Sequence, residues 1–322
     1  MKALAATSYG SAEELKIIDL PRPRPERGQI LVRIAAATIN ATDIRAVTGG
    51  LRGVLDLQFP YVLGNDFSGT VIQVGDGVTA FAEGDEVFGQ ALPRQLRPLL
   101  TSAHPSLSTG ALAEYAVFET DTPMLAHRPA SVSHVHAASL GIAGMAACSL
   151  MRLAHIKPGE TALVIGSTGG VGSIVVPLLA RAGARVIATA AGERAVTIMR
   201  ELGATDTVGY DSSEYPRDVD IIVNCVLPAG AVSAAAATLR EGGRIVSTVP
   251  PTPTAEQLGR DDVAVNVVDW NVDYLPMSEL ADAAARGELT ATIESVHPLS
   301  RAGDAVRDFL SNSTVGKVVV TM

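Results

Sequence analysis

Residues 161–190 constrain the fold of this chain more than any other stretch. The apolar run 161–165 leads into a glycine-rich loop, Gly-Ser-Thr-Gly-Gly-Val-Gly at 166–172, and apolar residues then recur at helical spacing as far as Ala182. A second, β-branched strand sequence follows at 186–189. This order of strand, glycine loop, helix and strand is typical of a βαβ unit that binds a dinucleotide, with a merely structural turn as the alternative.

The glycines of this loop are expected to serve different purposes. Gly169 would allow the tight turn, and Gly172 would let the helix pack closely against the strand. Backbone N–H groups at the start of the helix would face a pyrophosphate. We therefore expect the cofactor to be held by the loop and by the end of the second strand, through Ser167, Thr168, Gly169, Gly170, Val171, Gly172 and Thr189.

Composition excludes several classes of protein. The 322 residues carry a net charge of -9, which argues against nonspecific nucleic-acid binding. Cys148 and Cys225 are the only cysteines, so neither a disulfide framework nor a cysteine-rich zinc motif is expected. The chain has no apolar run of 18 residues and no apolar leader at its N-terminus. We expect a cytoplasmic protein without a membrane partner.

The periodicity divides the chain into a β-rich part, an alternating part and a short tail. Residues 1–120 contain short β-branched runs separated by Gly, Pro and Asp turns. The middle alternates strands and helices, as a doubly wound parallel sheet does. Its expected elements are strands at 161–165, 185–190, 219–223 and 244–248 and helices at 174–183, 193–202 and 230–240. The tail is expected to hold helices at 277–286 and 302–310 and a strand at 317–321.

The order of these motifs resembles the medium-chain dehydrogenase/reductase superfamily, specifically its zinc-independent quinone oxidoreductase branch. The resemblance runs along essentially the whole chain, through residues 20–43, 59–89, 110–117, 157–172, 201–210, 239–248 and 315–322. It implies an α/β protein with a GroES-like β-barrel domain, residues 1–122 and 273–322, and an inserted doubly wound Rossmann domain, residues 123–272. It also implies an active site in the cleft between the two domains.

The resemblance locates the positions that hold catalytic zinc in other members of the superfamily. Those positions here are Asn40 and Asn65, and residues 90–110 lack the cysteines of a structural zinc site. Asparagine is a poor substitute for the Cys and His ligands that zinc prefers. His134 and His136 would not share a helix face, so we interpret them as surface or packing residues. No bound metal is expected.

The end of the second strand bears on the choice of nicotinamide. NAD-specific units carry an acid there, whereas this chain has Ala190, and Glu193 lies past the strand. In the family that the chain resembles, a basic residue and a tyrosine contact the 2′-phosphate, which points to Arg194 and Tyr210. A guanidinium suits a phosphate because it donates two hydrogen bonds. We predict NADPH, with a solvated Arg194 paired to a neighbouring acid as the alternative.

The resemblance implies hydride transfer from NADPH to a small molecule, either a quinone or an α,β-unsaturated carbonyl compound. The anion that forms needs hydrogen-bond donors and then a proton. The candidate catalytic residues are Asn40, Asp43, Asn65 and Asp66, and Asn40, Val226, Val249 and Lys317 complete the expected cofactor contacts. Alternatives remain open: Asn40 as a buried turn amide, Asp43 as a structural acceptor, and Asp66 as either a proton relay or a turn cap.

Three further features of the sequence leave alternatives open, two for the function and one for the oligomeric state. Residues 90–109 are longer than the family's short link and would form either a lid, as in a specialised enoyl-thioester reductase, or a disordered loop. Ala146 stands where the family has a Thr, which favours a non-catalytic NADPH-binding protein as a third possibility. Residues 264–269 are expected to form an exposed edge strand that pairs two copies into a homodimer, unless a loop of the same chain covers it.

Overall fold

The computed structural model describes residues 1–311 and 313–322 of the chain. Its strands, in chain order, are β1 (Lys2–Ala6), β2 (Lys16–Asp19), β3 (Gln29–Thr38), β4 (Tyr61–Val62), β5 (Asp66–Val74), β6 (Glu86–Gln90), β7 (Leu92–Pro93), β8 (Leu107–Ser108), β9 (Tyr115–Glu119), β10 (Leu125–His127), β11 (Thr161–Ile165), β12 (Arg185–Thr189), β13 (Asp206–Val208), β14 (Val219–Asn224), β15 (Leu239–Ser247), β16 (Ala264–Val267), β17 (Ile293–Pro298) and β18 (Lys317–Thr321).

The helices agree with the predicted ones in the tail and, within two residues, at 174–183 and 193–202, and differ at 230–240. They are α1 (Ala41–Val47), α2 (His134–Leu140), α3 (Ile142–Ala154), α4 (Gly172–Arg181), α5 (Glu193–Glu201), α6 (Ser233–Ala236), α7 (Ala255–Leu258), α8 (Met277–Ala285) and α9 (Ala302–Leu310). The helix predicted at 230–240 is reduced to the four residues of α6, because β15 already begins at Leu239.

The chain folds into two compact units. The first comprises Met1–Ile142 and Leu275–Met322, and the second comprises Ala143–Tyr274. This division differs from the predicted boundaries at 122/123 and 272/273. The reason is that β10 pairs with β6 and α2 packs against β5, so the chain stays in the first unit up to Ile142.

The first unit is built around β3, which pairs with β5 on one side and with β9 on the other. The C-terminal strand β18 also pairs with β3 antiparallel, with Val319 opposite Thr38, so the tail completes the sheet that the N-terminal residues begin. A smaller sheet has the order β2-β1-β4. The core between these strands includes Phe67 and Phe118, whose rings stack with centroids 3.7 Å apart.

Residues 90–109 form a packed extension of this sheet. β7 pairs with β8 in parallel, a 3₁₀ turn at Arg94–Leu99 connects them, and the side chain of Leu96 is fully buried in the core of the unit. Neither predicted alternative, a lid or a disordered loop, describes this segment, because its apolar anchor holds it against the sheet.

The second unit is a six-stranded parallel sheet with the order β13-β12-β11-β14-β15-β16. Since β11 pairs with both β12 and β14, the strand order reverses beside it. Such a reversal is the switch point at which open α/β sheets bind ligands, outside the carboxyl ends of the strands. The predicted edge strand is present, because β16 pairs with β15 alone along this sheet.

Within the described residues, no single helix is long and apolar enough to cross a membrane. One bent pair, α2 with α3, meets the requirements of length and composition only when its two members are counted together.

Candidate functional site

The glycine loop lies at the switch point, between β11 and α4. Gly166 has the positive φ of +82°, a conformation that favours glycine, whereas no such φ occurs at Gly169. Gly169 closes the turn by donating its N–H to the Gly166 carbonyl at 3.1 Å, so it takes part in the tight turn as predicted, while the positive φ belongs to Gly166. Gly172 has its predicted role: a Cβ there would overlap the carbonyl oxygen of Gly166 and the backbone of Ser167.

Ser167 and Thr189 hold the loop in shape. Both side chains are fully buried. The Ser167 hydroxyl donates to the Thr189 carbonyl at 2.6 Å, and the Thr189 hydroxyl accepts the N–H of Gly166 at 3.0 Å. These hydroxyls connect the ends of two neighbouring strands, so they position the loop backbone from behind.

The loop backbone itself meets the requirements of a phosphate cradle. Gly169 is exposed, and α4 begins at Gly172 with Val171 as its N-cap. The first N–H groups of a helix have no partner within the helix, so those at Gly170 and Val171 are available to an anion. A side chain at Gly172 would disrupt the cradle. The shape and the free N–H groups of the cradle suit the pyrophosphate of a dinucleotide.

One of the two predicted 2′-phosphate contacts, Tyr210, lies beside this cradle. The hydroxyls of Thr168, in the loop, and Tyr210, just after β13, lie 3.1 Å apart, and Tyr210 is 52% exposed. Arg194 is exposed in the first turn of α5, which follows β12 directly. Ala190, at the position of the NAD-selective acid, is buried, and its side chain has no acceptor for a ribose hydroxyl.

Sequence reasoning missed Asn224, which shapes the loop after β14. Its buried amide donates to the Ser247 hydroxyl at 3.0 Å and to the Leu227 carbonyl at 2.8 Å. The Ser247 hydroxyl also accepts the N–H of Val249 at 3.0 Å. The structure thereby links the loops that carry Val226, 58% exposed, and Val249, half-buried, at the carboxyl ends of β14 and β15. The sequence signal that could have identified Asn224 is a polar residue at the end of an apolar strand.

The candidate catalytic residues of the first unit lie in a buried polar cluster. Asn40 is the N-cap of α1, and Asp43 lies one turn into this helix. One Asp43 oxygen accepts the N–H of Asn40 at 2.9 Å, and the other accepts the N–H of Gly64 at 2.9 Å. The geometry of Asp43 is that of a structural acceptor, which fixes α1 against the chain segment before β5.

Asp66 and Lys317 occupy the centre of the cluster. The Lys317 ammonium donates to Asn40 Oδ1 at 2.6 Å and to Asp66 Oδ2 at 3.4 Å, with Lys317 only 4% exposed. Asp66 Oδ1 accepts the Thr38 hydroxyl at 2.6 Å, and the N–H of Ile142 approaches Oδ2 at 3.4 Å. Thr38 was missed because a Thr at the end of a β-branched strand gives no sequence signal.

The side chain of Asn65 differs from the neighbouring polar side chains in having no hydrogen-bond partner among the described residues. Its side chain is fully buried, and neither its amide nitrogen nor its amide oxygen has a hydrogen-bond partner among the described residues. The buried Tyr61 hydroxyl also has no hydrogen-bond partner among the described residues. An unsatisfied buried polar group is costly, and native proteins rarely retain one without a water or ligand to satisfy it.

The pKa of Asp43 differs from that of an ordinary surface carboxyl. Burial raises the pKa of Asp43 to about 7, and the charge on Asp66 adds to the rise, against the N–H donors of Gly64 and Asn40 and the Lys317 ammonium. Burial also raises the pKa of Tyr61, with the charge on Asp43 contributing. The side of the cluster near Asp43 therefore favours uncharged groups at neutral pH.

The histidines are packing and surface residues, as interpreted from the sequence. His134 lies 2.9 Å from the Ser68 hydroxyl and 2.9 Å from Glu86, and exposed His136 contacts Ser133. Among residues 1–311 and 313–322, no group of three or more His, Cys, Asp or Glu side chains has a geometry that could hold a metal ion.

Comparison with known proteins gives this geometry its context. Residues 26–128 match the family model described as alcohol dehydrogenase GroES-like domain. Residues 202–320 match the model described as zinc-binding dehydrogenase, a span that includes neither Asn40 nor Asn65. The first unit is thus GroES-like, and the second has the Rossmann strand order.

Individual relatives cover almost the entire chain. The chain is 29% identical to a chloroplast envelope quinone oxidoreductase homolog of Arabidopsis thaliana, over 99% of this chain and 98% of that protein. It is 28% identical to an Arabidopsis NADPH-dependent alkenal/one oxidoreductase, over 99% of this chain and 79% of that protein. The structure of mycobacterial Rv1454c complexed with NADPH is 25% identical, covers 100% of both chains and has a TM-score of 0.83. The chain belongs to the medium-chain dehydrogenase/reductase superfamily and is an oxidoreductase of its quinone oxidoreductase-like branch.

Proposed function

We propose that this protein is a zinc-independent, NADPH-dependent reductase that transfers hydride to a quinone or an α,β-unsaturated carbonyl compound. The observation that supports it most is the contact between the Lys317 ammonium and Asn40 Oδ1. A lysine bound to the residue that replaces a metal-ligating cysteine is suited to reduction assisted by hydrogen bonds and not by a metal.

The zinc-independent part of the proposal rests on the donor set. Asn40 already accepts from Lys317 at 2.6 Å, and Asp66 also pairs with this ammonium. A zinc ion bound to these oxygens would have to displace the ammonium and tolerate a neighbouring positive charge. Since zinc prefers thiolate, imidazole and carboxylate ligands, the cluster is a poor zinc site.

The choice of NADPH rests on the second unit. The loop at Gly166–Gly172 forms a phosphate cradle, and Ala190 leaves the 2′ position without a carboxylate to repel a phosphate. Arg194, in the first turn of α5, and Tyr210, after β13, are both exposed. The relative named as an NADPH-dependent alkenal/one oxidoreductase and the NADPH complex of the mycobacterial protein support the same cofactor.

Each residue then has a specific task in the reaction. When bound, NADPH supplies the hydride. The glycine loop and Arg194 hold its phosphates, and Ser167 and Thr189 keep the loop rigid. Hydride addition leaves negative charge on the acceptor oxygen, and donors already aimed at that charge stabilise it without reorganisation. The buried Asn65 amide, which has no hydrogen-bond partner among the described residues, is our candidate for such a donor.

An anaerobic NADPH oxidation assay tests the proposal, with NADH in parallel and a panel of quinones, enones, enals and enoyl thioesters as acceptors. We expect turnover with NADPH preferred, no loss of rate after treatment with a chelator, and no stoichiometric zinc by elemental analysis. Absence of turnover with every acceptor, despite measurable NADPH binding, would favour a non-catalytic NADPH-binding protein. The packed turn within residues 90–109 gives less support to a specialised enoyl-thioester reductase, and preferred turnover of enoyl thioesters in this panel would favour that alternative.

We also propose a homodimer formed through β16. This strand lies at the edge of the parallel sheet, and Trp270, shortly after it, is 42% exposed. An unpaired edge with apolar residues beside it favours pairing with a second copy. Light scattering would give twice the chain mass, and a monomer at all concentrations would rule the dimer out. A cytoplasmic location stays a prediction, and the Arabidopsis relatives carry chloroplast names.

A further inference from the structure

We infer that Lys317 is the group that donates the proton to the reduced acceptor, and that Asp66 is the positioning residue that keeps its ammonium in place. The inference rests on the proposed reductase function and adds to it the proton donor, which the sequence alone did not identify. Three observations in the first unit support it: the hydrogen bonds of Lys317, the bonding of Asp66 and the unpartnered amide of Asn65.

The Lys317 ammonium has a hydrogen-bond donor to spare. A lysine ammonium carries three N–H donors. Among the described residues, its acceptors are Asn40 Oδ1, at 2.6 Å, and Asp66 Oδ2, at 3.4 Å. Because Lys317 is 4% exposed, bulk water does not satisfy the third N–H in the way it does on a protein surface. An acceptor oxygen or a single bound water can take that position.

Donors on both carboxyl oxygens fix Asp66 in place. Oδ1 accepts both the hydroxyl and the N–H of Thr38, at 2.6 and 3.2 Å. Oδ2 faces the N–H of Ile142 in addition to Lys317. Because the end of β3 and the first residue of α3 both contribute to this arrangement, Asp66 holds the Lys317 nitrogen beside Asn40.

Asn65 supplies independent evidence of a ligand in the first unit. Its side chain is fully buried, and among the described residues neither of its polar atoms has a hydrogen-bond partner. Native proteins rarely retain such a group without a water or a ligand to satisfy it. The spare N–H of Lys317 is a second donor of this unit, and donors of this kind stabilise a developing oxyanion.

The step balances without another reagent. Hydride reduces the acceptor by two electrons, and NADPH is oxidised to NADP⁺. The electron pair on the resulting oxyanion forms an O–H bond as an N–H bond of Lys317 breaks, leaving a neutral amine. The amine regains its proton from water that enters when the product leaves, before the next turnover. Asn40 and Asp66 keep the nitrogen in place throughout.

Lys317→Met and Lys317→Arg test this step, with Lys2→Met as the matched control because Lys2 pairs with Asp19 on the surface. Arginine keeps the charge but does not release a proton at working pH. We expect kcat to fall at least a hundredfold in Lys317→Met and at least tenfold in Lys317→Arg. The Kd for NADPH, measured by fluorescence, and kcat should both change less than threefold in the Lys2→Met control.

Isotope effects separate proton donation from a structural role. In the Lys317 variants, protonation becomes slower, so the solvent isotope effect on kcat should increase while the effect of NADPH deuterated at C4 decreases. A role in shaping the fold would leave both effects at their wild-type values. Such an outcome overturns the inference, as does full kcat in Lys317→Arg with unchanged isotope effects.

A binding measurement tests the same donors without turnover. The probe is 4-nitrophenol, whose phenolate absorbs at longer wavelength than its neutral form and imitates the oxyanion. Wild-type protein and Lys2→Met should bind it as phenolate below its solution pKa, and Lys317→Met should not. If wild-type protein turns over no acceptor yet shows this shift, the proposed function fails and the donor site stands. If it turns over acceptors and the shift is equal in all three proteins, the inference about Lys317 fails alone.

Discussion

The hydroxyl groups of Thr168 and Tyr210 lie 3.1 Å apart, although 42 residues separate them in the sequence. The contact joins the glycine loop after β11 to the chain that leaves β13, across the carboxyl edge of three neighbouring strands. Polar groups therefore flank the side of the cradle on which the adenosine ribose of a dinucleotide binds in this fold.

Arg194→Ala should reduce the preference for NADPH. Hydrogen bonds to a charged group contribute about 1.5–3 kcal/mol, so we expect the Kd for NADPH to rise about tenfold to hundredfold. The Kd for NADH should stay unchanged, because NADH has no 2′-phosphate. Fluorescence titration measures both, and Arg200→Ala, in the last turn of the same helix, is the control. An equal loss of affinity for the two nucleotides would contradict the assignment.

Gly172→Ala should destabilise the second unit. Its Cβ would overlap the carbonyl of Gly166, and backbone cannot move aside as a flexible side chain can. Overpacking of this kind costs about 1–3 kcal/mol, measurable as a lower melting temperature without cofactor. Gly169→Ala is the matched control, since its Cβ would meet only that same oxygen at 3.4 Å, an ordinary contact. Similar melting temperatures for the two variants would show that the loop adapts.

Gly166 and Gly172 show which features of the loop could be predicted from the sequence and which could not. Alternating and helical periodicities predicted the βαβ unit and the close packing at Gly172, because both depend on local pattern. The sequence did not show that Gly166 makes the turn, since φ depends on how the chain leaves the strand. The Lys317–Asn40 contact joins residues 277 positions apart, and no periodicity encodes a pairing that only the return of β18 to β3 creates.

The carboxyl of Asp43 should make stability depend on pH in an unusual direction. Burial raises its pKa from 3.8 to about 7, so between these values the folded state holds a proton that the unfolded state has lost. Stability from this group is complete below pH 4 and decreases as pH rises to about 7. Urea unfolding of wild type and Asp43→Asn should show the wild-type advantage shrinking across that window.

Asp85→Asn is the control for this experiment. Asp85 accepts the N–H of Ala82 and lies beside His127, and these bonds lower its pKa. The advantage that wild type has over Asp85→Asn should therefore be retained above pH 4 and lost on acidification, the opposite sign. A wild-type advantage over Asp43→Asn that grows from pH 4 to 7 would mean that Asp43 is charged in the fold.

His134→Gln should destabilise the first unit, because α2 depends on this residue. At one end of the helix, His134 contacts Ser68 and Glu86, each at 2.9 Å. Beyond the other end, Ile142 donates to Asp66, and Asp66 and Ser68 lie two residues apart on β5. We expect the free energy of unfolding at pH 8 to fall by about 1.5–3 kcal/mol, as for a lost hydrogen bond to a charged group.

The loss of stability in His134→Gln should depend on pH, and His136→Gln serves as its control. Burial lowers the pKa of His134, with the charge of Arg128 contributing and that of Glu86 opposing, so the unfolded state binds more protons below pH 6.5. The stability that wild type gains over His134→Gln should thus be largest above pH 6.5 and shrink on acidification. His136→Gln, on the exposed side of α2, should cost less than about 0.5 kcal/mol. Equal losses in the two variants would show that the Ser68 and Glu86 contacts do not hold α2 on β5.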